Sequence, residues 1–310
     1  MTRTDSVEIE RGWICNCVSF ARSAVTISIA LTTLLLIDGC GGDRGGVDAP
    51  RVLRVAVIPD RPRDEIERIF RPLLDFIAAD TGFTFELVFP QTYEQTLDLV
   101  ANDELDLVRF GGYSYVVAQQ RYGAKALVTR DVDLRFRSVI IVHRDLAVND
   151  LTSLRGRSLE FGPRYSTSGH VMPRIFLEGA GIVPEEFFSD VVYGVNHIDT
   201  LNAVVARDVD AGAMNAVILE RALRRDESMA NTIRIIWTSP RYANYVWATR
   251  ADLDVLASHA IRGAFLALTV LDHDDKVILD GVGAAGYLPA QQKSYDMLTR
   301  YVRALELNSQ

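Results

Sequence analysis

Two hydrophobic periods take turns along the chain from Val52 onward. Val52 to Ile58 is a short apolar run stopped by Pro59, which predicts a buried strand. Ile66, Ile69, Phe70, Leu73, Leu74 and Ile77 then recur at helical spacing, and Thr81-Gly82 closes that helix. Phe83, Phe85, Leu87 and Phe89 alternate with other residues, which is the period of a second strand. Tyr93 to Asn102 reads as a helix and Leu105 to Val108 as a third strand. The same rhythm resumes further on. Ser138 to Val142 and Ser158 to Phe161 read as strands, a helix follows from about Gly169 to Glu178, and Val191 to Tyr193 is a strand. Next come a helix over Ile198 to Arg207, a small-residue strand over Asp210 to Met214, and strands over Ile233 to Trp237 and Tyr245 to Thr249. Helical stretches around 253–271, 274–282 and 290–305 finish the chain.

Strands and helices alternating at these lengths predict an α/β protein with mainly parallel sheets flanked by helices. Two junctions look alike, Asn102-Asp103-Glu104-Leu105-Asp106-Leu107 and Ala206-Arg207-Asp208-Val209-Asp210-Ala211, each an acidic turn between a helix end and a strand. They hint at two similar lobes. A C-terminal helical segment packing back on the first lobe gives lobe one as 51–140 plus 248–310 and lobe two as 141–247. The segments near Ser138–Val142 and Trp237–Ala248 would then be the crossovers, and so the hinge.

The first fifty residues follow neither period. Ala24 to Ile37 is a run of fourteen apolar or small residues with Arg22 just before it. A membrane span needs roughly 20 apolar residues, so the run matches the core of a secretory signal instead. Ile37-Asp38-Gly39-Cys40 resembles a bacterial lipobox, with Asp38 a departure from its usual small or apolar residue. The expectation is a signal peptide over 1–39 and a lipidated tether over 40–50, with lipid on Cys40 and the body outside the cytoplasm. An uncleaved anchor helix is the competing reading of the same run.

Composition narrows the function. The formal net charge of −8 leaves no basic footprint for nucleic acid. Cys15, Cys17 and Cys40 are all the cysteines, so the body holds neither a disulfide scaffold nor a thiolate metal site. An anionic ligand would need a local, preorganised site in so acidic a chain.

Ser166-Thr167-Ser168-Gly169-His170 offers one. An interior proline costs a helix roughly 3 kcal/mol, so Pro173 should lie in a first turn, which puts the helix start near Ser168 to His170. Backbone N–H groups there lack intrahelical partners and favour an anion. Three adjacent hydroxyls add donors, and Gly169 lets the backbone approach closely. The pentapeptide alone reads equally well as a helix cap behind a polar loop.

Further residues tip the balance. Gly111-Gly112-Tyr113-Ser114-Tyr115-Val116, Arg137-Ser138-Val139-Ile140-Ile141-Val142, and Phe161-Gly162 followed by Ser166 to His170 come in the order and spacing of a known family. Asn196-His197-Ile198-Asp199, Asp210-Ala211-Gly212-Ala213-Met214-Asn215 and Tyr245-Val246-Trp247 extend the match. The body from about Leu53 to Val302 thus resembles the phosphate/phosphite/phosphonate-binding family of ABC-transporter solute-binding proteins. The resemblance implies a two-lobed type II periplasmic binding fold with a ligand cleft between the lobes. It implies that Ser166, Thr167, Ser168, Gly169 and His170 surround a phosphorus oxyanion, and that Tyr115 donates its hydroxyl from the opposite lobe. Tyr93 and His197 match cleft residues of the family; by itself His197 would read as a surface loop histidine. Gly112 stands where the family often has proline. Arg109 stands where it has an apolar or aromatic residue, and reads as a solvated charge at a strand end in preference to a new cation at the cleft rim.

Asn215 bears on the ligand's tail. Family members that bind aminoalkyl phosphonates use carboxylates near this loop, and Asn215 is neutral. A small oxyanion or an uncharged tail is expected, with Asp199 as a carboxylate that could select a protonated oxyanion. No Gly-x-Ser-x-Gly elbow or His-Glu-x-x-His spacing supports catalysis, and no cofactor is expected. The expected partner is an ABC permease, the alternative a membrane sensor kinase, and the chain is expected to act as a monomer.

Overall fold

The computed structural model describes residues 51–307. The expected signal peptide, the tether and Cys40 lie outside the described residues. Eleven strands are described: β1 (Val52–Val57), β2 (Thr84–Val88), β3 (Leu107–Phe110), β4 (Lys125–Arg130), β5 (Ser138–His143), β6 (Ser158–Phe161), β7 (Asp190–Tyr193), β8 (Ala211–Asn215), β9 (Ile233–Thr238), β10 (Val246–Thr249) and β11 (Tyr287–Pro289). They form two sheets, ordered β11-β4-β10-β3-β1-β2 and β7-β6-β8-β5-β9.

In the first sheet β1 pairs in parallel with β2 and β3, while β10 runs antiparallel between β3 and β4. In the second, β6 pairs in parallel with β7 and β8, while β5 runs antiparallel between β8 and β9. Each reversed inner strand is the one by which the chain enters from the other lobe. It arrives from the cleft side, opposite in direction to strands that are fed by helices.

The helices sort by their apolar stripes. Ile66, Ile69, Phe70, Leu73, Leu74 and Ile77 are all buried on the Arg63–Thr81 helix, as their spacing predicts. Gly82, at φ +73°, caps it in the left-handed region that glycine tolerates. This helix packs with the Val255–Ala267 and His273–Val282 helices on one face of the first sheet. The Tyr93–Ala101, Gly112–Tyr122 and Asp296–Leu307 helices cover the other face. The C-terminal helices thus return to the first sheet.

Sheet membership changes between Arg130 and Ser138, and back between Thr238 and Val246. The boundaries read from sequence, 140/141 and 247/248, fall a few residues late, inside β5 and β10, because an apolar strand continues unbroken past the point where the chain crosses. The two crossovers are bonded to each other. Phe136 N–H donates to Tyr242 C=O at 2.9 Å, Tyr242 N–H donates back at 3.1 Å, and Asn244 N–H donates to Asp133 C=O at 2.9 Å.

Candidate functional site

The stretch after β6 forms one widened turn before its helix. Val171 N–H donates to Ser166 C=O at 3.0 Å across five residues, and the regular helix runs over Met172–Gly179 with Pro173 in its first turn. Ser166 is the cap: its Oγ accepts Gly169 N–H at 3.0 Å. Capping, which the pentapeptide alone leaves level with anion binding, falls to Ser166, while Thr167 and Ser168 have other partners.

Thr167 Oγ1 accepts the N–H of Tyr113 from the first lobe at 2.8 Å. Tyr113 lies in the first turn of the Gly112–Tyr122 helix, so Gly111-Gly112-Tyr113-Ser114-Tyr115 is a helix start. Its preceding donor, Gly112 N–H, goes to Asn244 Oδ1 at 3.3 Å, while Asn244 Nδ2 is buried without a hydrogen-bond partner. A Cβ on Gly111 would come within 3.0 Å of Thr167 Oγ1, so glycine is what permits the close approach. Ser168 is buried and reaches the hydroxyl of Tyr242, which also bonds Ser138 at 2.7 Å.

The remaining expected residues divide between cleft and scaffold. Tyr93 is fully buried with its hydroxyl at Ser166. His197 is not a surface histidine: it is wholly buried, with Nε2 3.3 Å from Ser166 Oγ and Nδ1 3.4 Å from the Asn215 nitrogen. Burial pushes its imidazole down to about 4, against the partial opposition of Asp60. His197 also sits under Gly169, where an added Cβ would lie 2.8 Å from its Cε1.

The side chain of His170 turns away from this group. Its Nδ1 lies 2.6 Å from Arg164 C=O, its Nε2 takes Arg174 Nε–H at 3.1 Å, and its ring packs edge-on with Tyr193 and tilted against Phe161. Tyr115 turns away as well, because the helical start carries its ring inward. Its hydroxyl meets Gln292 at 2.6 Å and its ring packs on Tyr295. Asn215 caps the next helix through Oδ1, accepting from Val217 and Ile218, and donates Nδ2 to Tyr245 Oη at 2.7 Å. Asp199 is exposed and takes Asn196 Nδ2 at 2.7 Å, away from the buried group.

Arg109 corrects the sequence reading. It is 1% exposed rather than solvated, 3.4 Å from Asp60 and stacked 3.7 Å over the ring of Tyr245. Asp60 also holds Arg61 at 2.9 Å. Burial works against the ionised carboxyl of Asp60, but the two guanidiniums outweigh it and hold the group below the usual carboxylate range. The site is therefore not free of arginine. Asp60 and Arg61 follow β1, at the carboxyl edge where open α/β sheets bind ligands, and that position was the available signal. Asn244 and Tyr242 had no such signal. Among the described residues, no cluster of His, Cys, Asp and Glu could hold a metal ion.

Comparison with known proteins accords with this geometry. A "Probable ABC transporter phosphite binding protein PhnD1" from Prochlorococcus marinus is 28% identical over 285 residues, covering 83% of this chain and 90% of that one. A phosphate-import protein PhnD from Mycolicibacterium smegmatis is 24% identical over 66% of this chain and 68% of that one. The solved structure of Prochlorococcus PhnD1 with methylphosphonate superposes with a TM-score of 0.78 at 26% identity, over 83% of this chain and 99% of that one. A binding component of a phosphonate ABC transporter from Pseudomonas aeruginosa shares the fold, with a TM-score of 0.74 at 18% identity over 84% of this chain and 86% of that one. Residues 55–295 match the family described as "ABC transporter, phosphonate, periplasmic substrate-binding protein". The chain belongs to this family of two-lobed, extracytoplasmic substrate-binding components of ABC transporters.

Proposed function

We propose that the cleft captures a small phosphorus oxyanion and that capture holds the lobes together. One observation carries this reading: two helix starts from opposite lobes meet, with Thr167 Oγ1 on the N–H of Tyr113. Both starts present N–H groups and the positive ends of helix dipoles. An oxyanion between them accepts from the first turn of the Gly112–Tyr122 helix on one side. On the other it accepts from the hydroxyls of Thr167 and Ser168, while Gly169 keeps the turn compact by giving its N–H to the Ser166 cap. Tyr93 adds its hydroxyl beside Ser166, and Asn244 Nδ2 is a spare buried donor. Arg61 and Arg109 raise the potential of the first lobe.

The other expected residues act as supports. His197 braces Ser166 from beneath, Asn215 fixes Tyr245, His170 ties the turn to Arg174, and Tyr115 props its helix from behind. Contacts to both lobes exist only when the lobes are together, so the ligand shifts the population toward the closed form. That form would dock on the permease. The names of the relatives, with phosphite, phosphate and methylphosphonate, support the ligand class.

Asn215 is neutral and already bonded at both ends, so a cationic tail finds no carboxylate there. Isothermal titration with phosphate, phosphite, methylphosphonate and 2-aminoethylphosphonate tests this. Tightest binding of the aminated ligand sinks the assignment, and failure of all four sinks the ligand class. We place the protein as a monomer on the outer face of the membrane, anchored through lipid on Cys40. Cys40→Ala should then release it into the soluble extracytoplasmic fraction, and unchanged membrane retention would count against the anchor.

A further inference from the structure

A cavity of about 190 Å³ lies between the lobes. Arg61 and Glu65 line it from the first lobe, and Ile218, Arg221, Ala222 and Arg225 from the second. Its charges leave one cation over. Arg61 is held by Asp60 at 2.9 Å, and Arg225 pairs with Glu65 across the lobes. Asp226, at the rim, caps its own helix by accepting Ser228 N–H at 2.9 Å. Arg221 forms no ion pair among the described residues; its hydrogen bond there runs 3.4 Å to the C=O of Gly281.

The position of Arg221 is electrostatically costly. Burial, and then the guanidiniums of Arg61, Arg130, Arg109 and Arg224, push its proton affinity down to about 10. Arg61 and Arg109 share Asp60, Arg130 has Asp133, and Arg224 has Glu220 on the surface, which leaves none of these carboxylates for Arg221. A half-buried cation pressed by like charges gains most from an anion that also excludes water. The wall beside it is apolar, through Ile218, Leu201 and Met229.

We propose that this cavity is a separate site for a small organic anion, one carboxylate on an apolar body of a few carbons. The carboxylate pairs with Arg221 beside Arg61, and the body covers Ile218 and Ala222. Because Arg61 and Arg221 belong to opposite lobes, the occupant favours the closed form. Linkage then makes it raise affinity in the oxyanion cleft, and the cleft ligand raise affinity here by the same factor. The site itself goes beyond the oxyanion reading and does not depend on it.

Pentanoate is the probe. Titrated into the full chain it should bind saturably. Arg221→Gln should weaken it by at least about tenfold, the loss of one charge-assisted hydrogen bond. Ala222→Phe, which fills the cavity and keeps Arg221, should weaken it as much, with thermal melts confirming that both variants fold. Ser168→Ala, in the cleft, should leave pentanoate affinity within about twofold if the sites are separate. Four results overturn the proposal: no saturable binding, equal binding by Arg221→Gln, displacement of pentanoate by a cleft-bound oxyanion, or acetate binding as tightly as pentanoate. A more open Arg221→Gln chain with no pentanoate binding to the parent also overturns it, and makes Arg221 a latch to the helix end at Gly281. Saturable pentanoate binding with no phosphorus oxyanion bound keeps this site and removes the cleft assignment.

Discussion

The N–H of Tyr113 and Oγ1 of Thr167 lie 2.8 Å apart and belong to opposite lobes. This bond closes the cleft without a ligand, and a ligand oxygen would compete for the same donor. Thr167→Val keeps the shape and removes the acceptor. Ligand affinity should fall by about 1.5–3 kcal/mol if the hydroxyl also meets a charged oxygen. The ligand-free chain should show a larger radius of gyration by small-angle scattering. Unchanged affinity together with an unchanged radius would rule out both roles.

Ser168→Ala separates ligand contact from lobe contact, because the described partner of Ser168 is the Tyr242 hydroxyl in the crossover. Loss of a donor to a charged oxygen costs about 1.5–3 kcal/mol, roughly ten- to a hundredfold in affinity. Titration calorimetry reads it directly. A change below threefold would mean that Ser168 only positions Tyr242.

Gly169 has no room for a side chain. The Cβ of Gly169→Ala would lie 2.8 Å from His197 Cε1 and 2.9 Å from the Cα of Gly162, both buried and braced. Forced overpacking of this kind costs about 1–3 kcal/mol. The melting temperature should drop and ligand affinity should fall with it. A variant as stable as the parent would show that the His197 ring can move.

Arg109→Leu leaves Asp60 buried with Arg61 as its remaining ion-pair partner. Breaking a buried pair from one side costs about 3–5 kcal/mol, and the surviving Arg61 places this case at or below the low end. Chemical denaturation should show the loss. Replacing Asp60 by Asn in the same chain should deepen the loss, since Arg61 is then buried without its ion-pair partner. No further loss in the double variant would place the cost in the lost stacking on Tyr245.

His197 makes stability depend on pH. Its folded value is pushed down to about 4 by burial, and an unfolded histidine titrates near 6.5. Between these values the unfolded chain binds the extra proton, so stability is full above about 6.5 and drains away as pH falls toward 4. The slope should approach about 1.4 kcal/mol per pH unit in mid-window. His170, also pushed down to about 4 by burial, adds in the same direction. Asp60 stays ionised throughout, being held below the usual carboxylate range. Urea midpoints at pH 7 and pH 5 measure the effect, and His197→Gln should flatten the slope.

Elements with a strong period were legible in the sequence. The stripe from Ile66 to Ile77 lies wholly inside the Arg63–Thr81 helix, and the alternation from Phe83 to Phe89 brackets the Thr84–Val88 strand by one residue at each end. The Gly112–Tyr122 helix leaves little periodic signal, because two glycines open it and Gln119, Gln120 and Arg121 blur its apolar face. The direction of the Tyr115 side chain is therefore not legible from pattern, and its expected place in the cleft rests on the family resemblance. Arg109 was misread for another reason. A charge between Val108 and Phe110 looks solvated until Asp60, forty-nine residues earlier, is seen beside it. Local pattern carries burial well, but it does not carry pairing between distant charges.

The two crossovers have a mechanical consequence. Phe136 and Tyr242 exchange backbone hydrogen bonds, and the ring of Phe136 packs on both Tyr242 and Tyr245. Two unpaired connectors would let one lobe swing and swivel like a ball in a socket. A stitched pair resists swivelling and leaves mainly a bend across the ribbon, like a door on its pin. A lobe hinged in this way would open along one arc. Closing along that arc would return Thr167 to the same N–H, so that the search for a bound geometry would be a search in one dimension.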